Sequence, residues 1–157
     1  MPTARAVAIA NAVVAQINAA NLGITAQRSY ADWDLELADE SGPRCDVIAN
    51  SVEQKDELAT RGNVKFTVPI DIAIRQKFDA TKIDIPSGRV TLQVVDDLIL
   101  LTETIAMLFA GKSFFEATGG NWAYQEIALL ANPIRQHLRQ FHQFTSVMRL
   151  TFRTSNP

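Results

Sequence analysis

Between Phe66 and Phe78 the chain alternates. Phe66, Val68, Ile70, Ile72 and Ile74 are separated by Thr67, Pro69, Asp71, Ala73 and Arg75. In a pleated strand successive side chains point to opposite faces, so this spacing gives one oily side and one mostly polar side. An α-helix would scatter the same residues around its circumference. The stretch therefore predicts a β-strand with one buried face, and the rest of the chain has to supply the cover. Pro69 carries no amide proton and falls on the polar side, which marks either an edge strand or a local irregularity.

Upstream, Thr3 is a candidate helix cap, and Ala4 to Ala20 holds no Gly or Pro, with Val7, Ala10, Val14 and Ile17 on one helical stripe. The segment is rich in alanine, strong in propensity but thin in apolar area, so it is expected to lie against a sheet, with Gly23 as its stop. Residues 24–37 read as extended, either one bent strand or two pieces, with Ala31, Trp33, Leu35 and Leu37 alternating against Asp32, Asp34 and Glu36. Turn formers at 39–43 precede a short strand through Cys45, Val47 and Ala49, and a hairpin is the simple reading. The charged run Ser51 to Gly62 reads as a solvated excursion or short helical turn, giving a mobile loop near 51–63.

A polar loop from Asp79 to Gly88 leads into a second helix, Arg89 to Ala110, carrying the stripe Val90, Val94, Leu98, Leu101, Ile105 and Leu108, with Gly111 and Lys112 at its end. A second mobile loop is expected near 112–121. Trp122 to Leu130 is ambiguous between strand and helix. Asn132 as cap and Pro133 in the first turn suggest a short helix over Ile134 to Phe141. Phe144, Ser146, Met148, Leu150 and Phe152 then alternate with Thr145, Val147, Arg149, Thr151 and Arg153, a second half-buried strand and a partner for the first. The order predicts one α+β domain over 1–157: a mostly antiparallel sheet of about four strands with two main helices packed on one face.

Function classes narrow by composition. With 15 basic and 17 acidic residues the net charge is −2, which argues against general nucleic-acid or membrane-surface binding while leaving room for a local basic patch. The single cysteine, Cys45, has no internal disulfide partner, as suits reducing cytosol, and reads as a small hydrophobe. The N-terminal segment is too polar for a signal peptide. The longest apolar run, Val90 to Ala110, carries Asp96, Asp97 and Glu103, each costing about 2.5–3.5 kcal/mol at bilayer depth, so no transmembrane span is expected. No phosphate loop, nucleophile elbow or His-Glu zinc motif occurs. His137 and His142 lie about 140° apart on a helix, not on one face. Asp32, Asp34 and Glu36 share a strand face but lack the glycine and terminal acid of a calcium loop. Neither a catalytic residue, a cofactor nor a metal is expected.

Charged residues remain to be placed. Arg149 and Arg153 stand on one face of the last strand, as do Arg75 and Lys77 on the central one. They read either as a solvated face, or as an interface with acidic groups or the wall of a passage for DNA, contacting phosphate without reading sequence. Asp96 and Asp97 read as the wet edge of the long helix or as partners for a basic group on another subunit.

Taken in order, several pieces resemble the tail terminator proteins of long-tailed bacteriophages. They are the small-residue helix ending Asn21-Leu22-Gly23, the start Ile24 to Tyr30, the strand Cys45-Asp46-Val47-Ile48-Ala49, the strand Val68 to Ile74, the helix segment Val94-Val95-Asp96-Asp97-Leu98 and the closing Phe144 to Arg153. The resemblance covers nearly the whole chain and lies in order and spacing, not in any single motif. It implies a non-enzymatic virion protein of the head-tail neck, made in the host cytoplasm. Such a protein forms a homo-oligomeric ring, commonly a hexamer, that binds the end of the tail tube protein, ends polymerisation and meets the head connector or head completion protein. DNA passes through such a ring, and no membrane is involved. The resemblance further implies that Asp71, Arg75, Arg149 and Arg153 lie on subunit interfaces or the channel wall, and that the two loops dock on tube or connector. Two other readings stand beside it: another head-tail joining protein, and a monomeric or dimeric α+β ligand-binding domain or enzyme with Trp33, Trp122 and Tyr124 lining a cleft.

Overall fold

A computed structural model of the chain describes residues 4–30, 33–38, 42–50, 53–60, 63–84, 87–110, 113–114 and 122–155. In chain order the elements are α1 (Arg5–Ala19), β1 (Ala26–Arg28), β2 (Arg44–Ala49), β3 (Glu53–Thr60), β4 (Asn63–Lys77), β5 (Ile83–Asp84), β6 (Arg89–Val90), α2 (Leu92–Phe109), β7 (Ser113–Phe114), β8 (Trp122–Ala131), α3 (Arg135–Gln140) and β9 (Gln143–Ser155). The alternating stretch lies inside β4, and the second one makes up most of β9. They pair antiparallel without interruption from Lys65↔Ser155 to Lys77↔Gln143.

On the apolar side, Val68, Ile70, Ile72 and Ile74 of β4 meet Phe144, Met148, Leu150 and Phe152 of β9, every one at 0% exposure. Cover comes from α1, through Ile9, Ala10, Val13 and Ile17, and from α2, through Leu98, Ile105 and Phe109. Each large side chain so removed from water contributes about 1.5–3 kcal/mol, and this shared face is where the core sits. The two main helices on one face of a sheet give the α+β class expected. The buried stripe of α1 is rotated from the one expected: Ile9 and Val13 face inward, while Val7 and Val14 are only half-buried.

The main sheet has seven strands in the order β1-β2-β4-β9-β8-β7, with β3 pairing β4 as well. About four were expected. Two of the additions are β7, a stub of 2 residues, and β8, the segment left ambiguous in the sequence. The third is β3, where a solvated excursion and mobile loop were expected; Glu53–Thr60 instead forms a hairpin with β4. Its composition is polar on both sides, so hydrophobic periodicity could not announce a strand whose backbone pairs off the main core. Pro69 proves to be in a central, buried position, and of the two alternatives the irregularity is what is found. The amide of Asn50 donates to the Pro69 carbonyl at 3.2 Å. Within a strand a residue's nitrogen and carbonyl point the same way, so the missing donor of Pro69 falls where β2 has ended and β3 has not begun.

Residues 24–37 make neither the one bent strand nor the two pieces expected. Among the described residues only Ala26–Arg28 forms a paired strand there, and it runs parallel to β2, so no hairpin joins them. Between them the segment 33–38 packs across the sheet: the Leu37 amide donates to the Gln143 side chain at 2.7 Å. Leu37 is buried and Leu35 is 61% exposed, so their spacing came from one anchoring contact and not from a pleat. The segment Trp122–Ala131, ambiguous in the sequence, is a strand with Tyr124, Ile127 and Leu129 in register with Phe152, Leu150 and Met148. Helix α3 starts at Arg135 with Ile134 before it, so Asn132 is not its cap and Pro133 lies outside its first turn; the Asn132-Pro133 peptide is cis. The loop 79–88 holds a 3₁₀ turn and the small β5–β6 hairpin, and the long helix begins at Leu92 and not at Arg89. Gly23, with φ +77°, follows α1 as expected of a stop. Thr3, Gly111, Lys112 and most of the loop 112–121 lie outside the described residues. No helix among the described residues is long and apolar enough to cross a membrane.

Candidate functional site

The back of the sheet is built from the residues that fall between the apolar ones. Register sets Thr67, Asp71, Ala73 and Arg75 of β4 beside Arg153, Arg149, Val147 and Thr145 of β9, with Asp46 of β2 on the Ala73 row. Asp71 and Arg149 face each other directly. The Arg149 Nε donates to Oδ1 at 2.8 Å and Nη2 to Oδ2 at 3.0 Å, a forked pair in which the carboxylate is 6% exposed and the guanidinium 42%. Two parallel charge-assisted bonds fix the plane of the guanidinium and keep it half in solvent.

The second pair is deeper. Arg75 Nη2 donates to Asp46 Oδ2 at 2.7 Å, with side-chain exposures of 5% and 1%, and Gln27 Nε2 donates to the other oxygen at 3.0 Å. Both charges have left water, so the pair holds only because each answers the other. It ties β1, β2 and β4 together across the back face.

At one end, the segment 33–38 and α3 cover this face. Gln143 is fully buried; its carbonyl oxygen accepts the Leu37 amide, and its Nε2 donates to the Thr145 hydroxyl at 2.9 Å and to the Leu35 carbonyl at 3.4 Å. His137 Nδ1 is 2.8 Å from the same hydroxyl, and its Nε2 is 3.6 Å from Asp34 Oδ1. Lys77 Nζ donates to Glu36 Oε1 at 2.7 Å. Asp34 and Glu36 therefore each face a basic group of the same chain, and among the described residues no cluster of three or more metal-ligating side chains occurs. Asp32 lies outside the described residues.

The six charged residues singled out in the sequence thus fall into three settings. Asp71 and Arg75 are each 4% exposed and paired within the chain. Arg149 and Arg153 remain partly exposed on the open part of the back face. Asp96 and Asp97 are exposed on α2, on the opposite side of the sheet, where Asp97 accepts Gln93 Nε2 at 2.8 Å. Arg153 stands two residues beyond Thr151 on the same face as Arg149, in register with Thr67 and Ala123, and among the described residues its buried Nε meets no acceptor.

Asp46 and Gln143 organise this face without having been singled out, and His137, weighed in the sequence only as half of a metal pair, joins them. Parity would have placed two of them: Asp46 lies between Cys45 and Val47, and Gln143 is two residues before Thr145. Their partners lie across strands that parity does not order.

Cys45 is on the core side. Burial, and then the charge of neighbouring Asp46, pushes its thiol up to about 12, so it stays protonated at neutral pH and is no nucleophile there. An open groove of about 550 Å³ is lined by Gly23, Ile24, Thr25, Gln27, Pro43, Arg44 and Cys45. It does not involve Trp33; the side chains of Trp122 and Tyr124 lie outside the described residues. What the arrangement offers chemically is a partly neutralised surface with the Arg149 guanidinium held in a fixed plane and Arg153 beside it, groups suited to phosphate or carboxylate oxygens. No model of a known protein family matches the chain, and no curated protein matches it either.

Proposed function

We propose that this protein is a structural subunit of the neck of a long-tailed bacteriophage, a tail terminator that assembles into a ring, commonly hexameric in such proteins, on the end of the tail tube. The ring ends polymerisation of the tube and offers its other rim to the head connector. The reading rests on the resemblance in order and spacing described above, and the fold class agrees with it. The observation that carries it is the back face: Arg149, aimed by its fork to Asp71, and Arg153 both stay partly exposed there, and contacts from such groups to phosphate need not read sequence, as suits a wall along DNA. Asp71 and Arg75 act from behind this wall, the first by orienting Arg149 and the second by tying β4 to β2. The polar β3–β4 hairpin is a candidate for docking on tube or connector.

The test is electron microscopy of the purified chain mixed with tail tubes. The expected result is rings seated at tube ends, and tubes that no longer lengthen. Charge reversal by Arg149→Glu with Arg153→Glu is expected to impair DNA passage through the assembled neck, with circular dichroism checking that the chain still folds once Asp71 faces a carboxylate, and Arg153→Glu alone, which leaves the Asp71 pair in place, is expected to act in the same direction. Tubes that ignore the protein, or reversals that leave both assembly and DNA passage untouched, would remove this assignment.

A further inference from the structure

Residues 33–38 belong to no helix or strand, and Leu37 is the one side chain among them that is buried. A segment with so little apolar cover and no ladder sits at the low end of local stability unless polar contacts hold it. Those contacts converge on Gln143 and Thr145, both at 0% exposure. Their direction follows from one fixed point. A backbone N–H only donates, so the Gln143 atom that meets the Leu37 nitrogen at 2.7 Å is the carbonyl oxygen Oε1. The amide group of Gln143 is thereby oriented, and its Nε2 donates to the Leu35 carbonyl at 3.4 Å and to Thr145 Oγ1 at 2.9 Å. With that oxygen accepting from Gln143, the Thr145 hydroxyl proton is left for Nδ1 of His137, 2.8 Å away and its other side-chain partner among the described residues. Nδ1 therefore accepts, and the hydrogen of the neutral ring is on Nε2, the nitrogen turned toward Asp34 Oδ1 at 3.6 Å.

The relay leaves the segment at Leu37 and returns to it at Asp34. Every link runs one way. Turning over the Gln143 amide would set two donors against each other at Leu37, and moving the ring hydrogen to Nδ1 would leave the buried Thr145 hydroxyl proton facing another donor. A second hold lies beside the relay, where Lys77 Nζ donates to Glu36 Oε1 at 2.7 Å and to the Leu37 carbonyl at 3.3 Å. We infer that residues 33–38 are a strap latched by this relay, closed by His137 in its Nε2–H form, and that the strap lifts as one unit while β4 and β9 stay paired. Lifting takes Glu36 from Lys77 and Asp34 from His137, so the strap sets how many basic groups this end of the back face presents.

Two measurements on the full chain test the latch. In mildly alkaline solution, proton–nitrogen correlation spectra of the His137 ring should show Nε2 bearing the hydrogen and Nδ1 bare; the reverse overturns the inference, and no variant is needed to see it. Amide hydrogen exchange then compares the wild type with Thr145→Val, Thr145→Ser and His137→Phe, circular dichroism checking that each variant folds. Valine keeps the branched shape that suits a strand and removes only the hydroxyl, leaving the contact between Leu37 and Gln143 in place. With all links acting as one latch, the Leu37 amide should exchange about tenfold or more faster in Thr145→Val and in His137→Phe, while the amides of the β4–β9 ladder keep their wild-type rates. Thr145→Ser, which retains a hydroxyl, should keep most of the Leu37 protection. Unchanged Leu37 protection in either Thr145→Val or His137→Phe would show that the contacts act independently. Leu37 exchange that quickens only together with the ladder would show that the segment opens by unfolding of the whole domain. Either result overturns the inference.

Discussion

Replacing Asp46 by Asn tests the claim that the back face is held by charges that have left water. The change keeps the shape and the bond from Gln27 within reach, but it strips Arg75 of its counter-charge at a position where its side chain is 5% exposed. At a nitrogen-oxygen distance of 2.7 Å the two charge centres lie about 4 Å apart, an attraction of about 4 kcal/mol at an effective dielectric of about 20. Removing one member of a buried pair accordingly costs about 3–5 kcal/mol. Against a total of about 5–15 kcal/mol for a domain this is a large fraction of its stability. With a urea dependence of about 2 kcal/mol per molar, the unfolding midpoint should fall by about 2 M. Arg75→Met should cost a similar amount. The double variant Asp46→Leu with Arg75→Met should recover most of the loss, because two apolar groups of similar volume leave no charge stranded. Urea unfolding of the four proteins gives the coupling directly. A loss below about 1 kcal/mol for Asp46→Asn, or a double variant whose cost is the sum of the singles, would refute the picture of a dry pair and put water at the site.

Two more changes probe the same architecture. Gln143→Leu removes the acceptor of the Leu37 amide and should cost about 1–3 kcal/mol, with faster hydrogen exchange at Leu37; unchanged protection there would mean that the segment 33–38 is held by something else. Cys45 has a thiol raised from 9.0 to about 12, so below pH 9 it contributes no pH dependence, and as pH rises from there toward 12 the unfolded chain ionises first and stability declines by up to about 1.4 kcal/mol per pH unit. Cys45→Ala should lack that part of the alkaline slope, and a slope identical to wild type would show that the thiol titrates alike folded and unfolded.

The two alternating runs were legible because each of their positions has the same fate on every cycle: Ile70 and Leu150 are in, Asp71 and Arg149 are on the other side, and a shift by one residue would invert them all. The long helix was legible for a related reason, its apolar stripe being too broad for chance. What could not be read is pairing at a distance. Asp71 and Arg149 each had a face but no partner until register joined them across 78 positions. Residues 33–37 looked like a strand because Leu35 and Leu37 are two apart, and only the position of Gln143 shows why one of them is buried. β3 was silent because Glu53–Thr60 carries too few apolar residues to show a period.

The link between β1 and β2 also bears on the order in which the molecule comes together. Its amide at Leu37 is met by a residue 106 positions further along. During synthesis, β1 and β2 therefore leave the ribosome long before the group that pins the crossover between them exists. A short parallel pair with an unpinned crossover buries little apolar surface by itself, whereas β4 and β9, though further apart in the chain, carry apolar faces that reward their meeting. The first strand of the chain is then among the last to settle, and an early portion of the protein waits on a late one for its final shape.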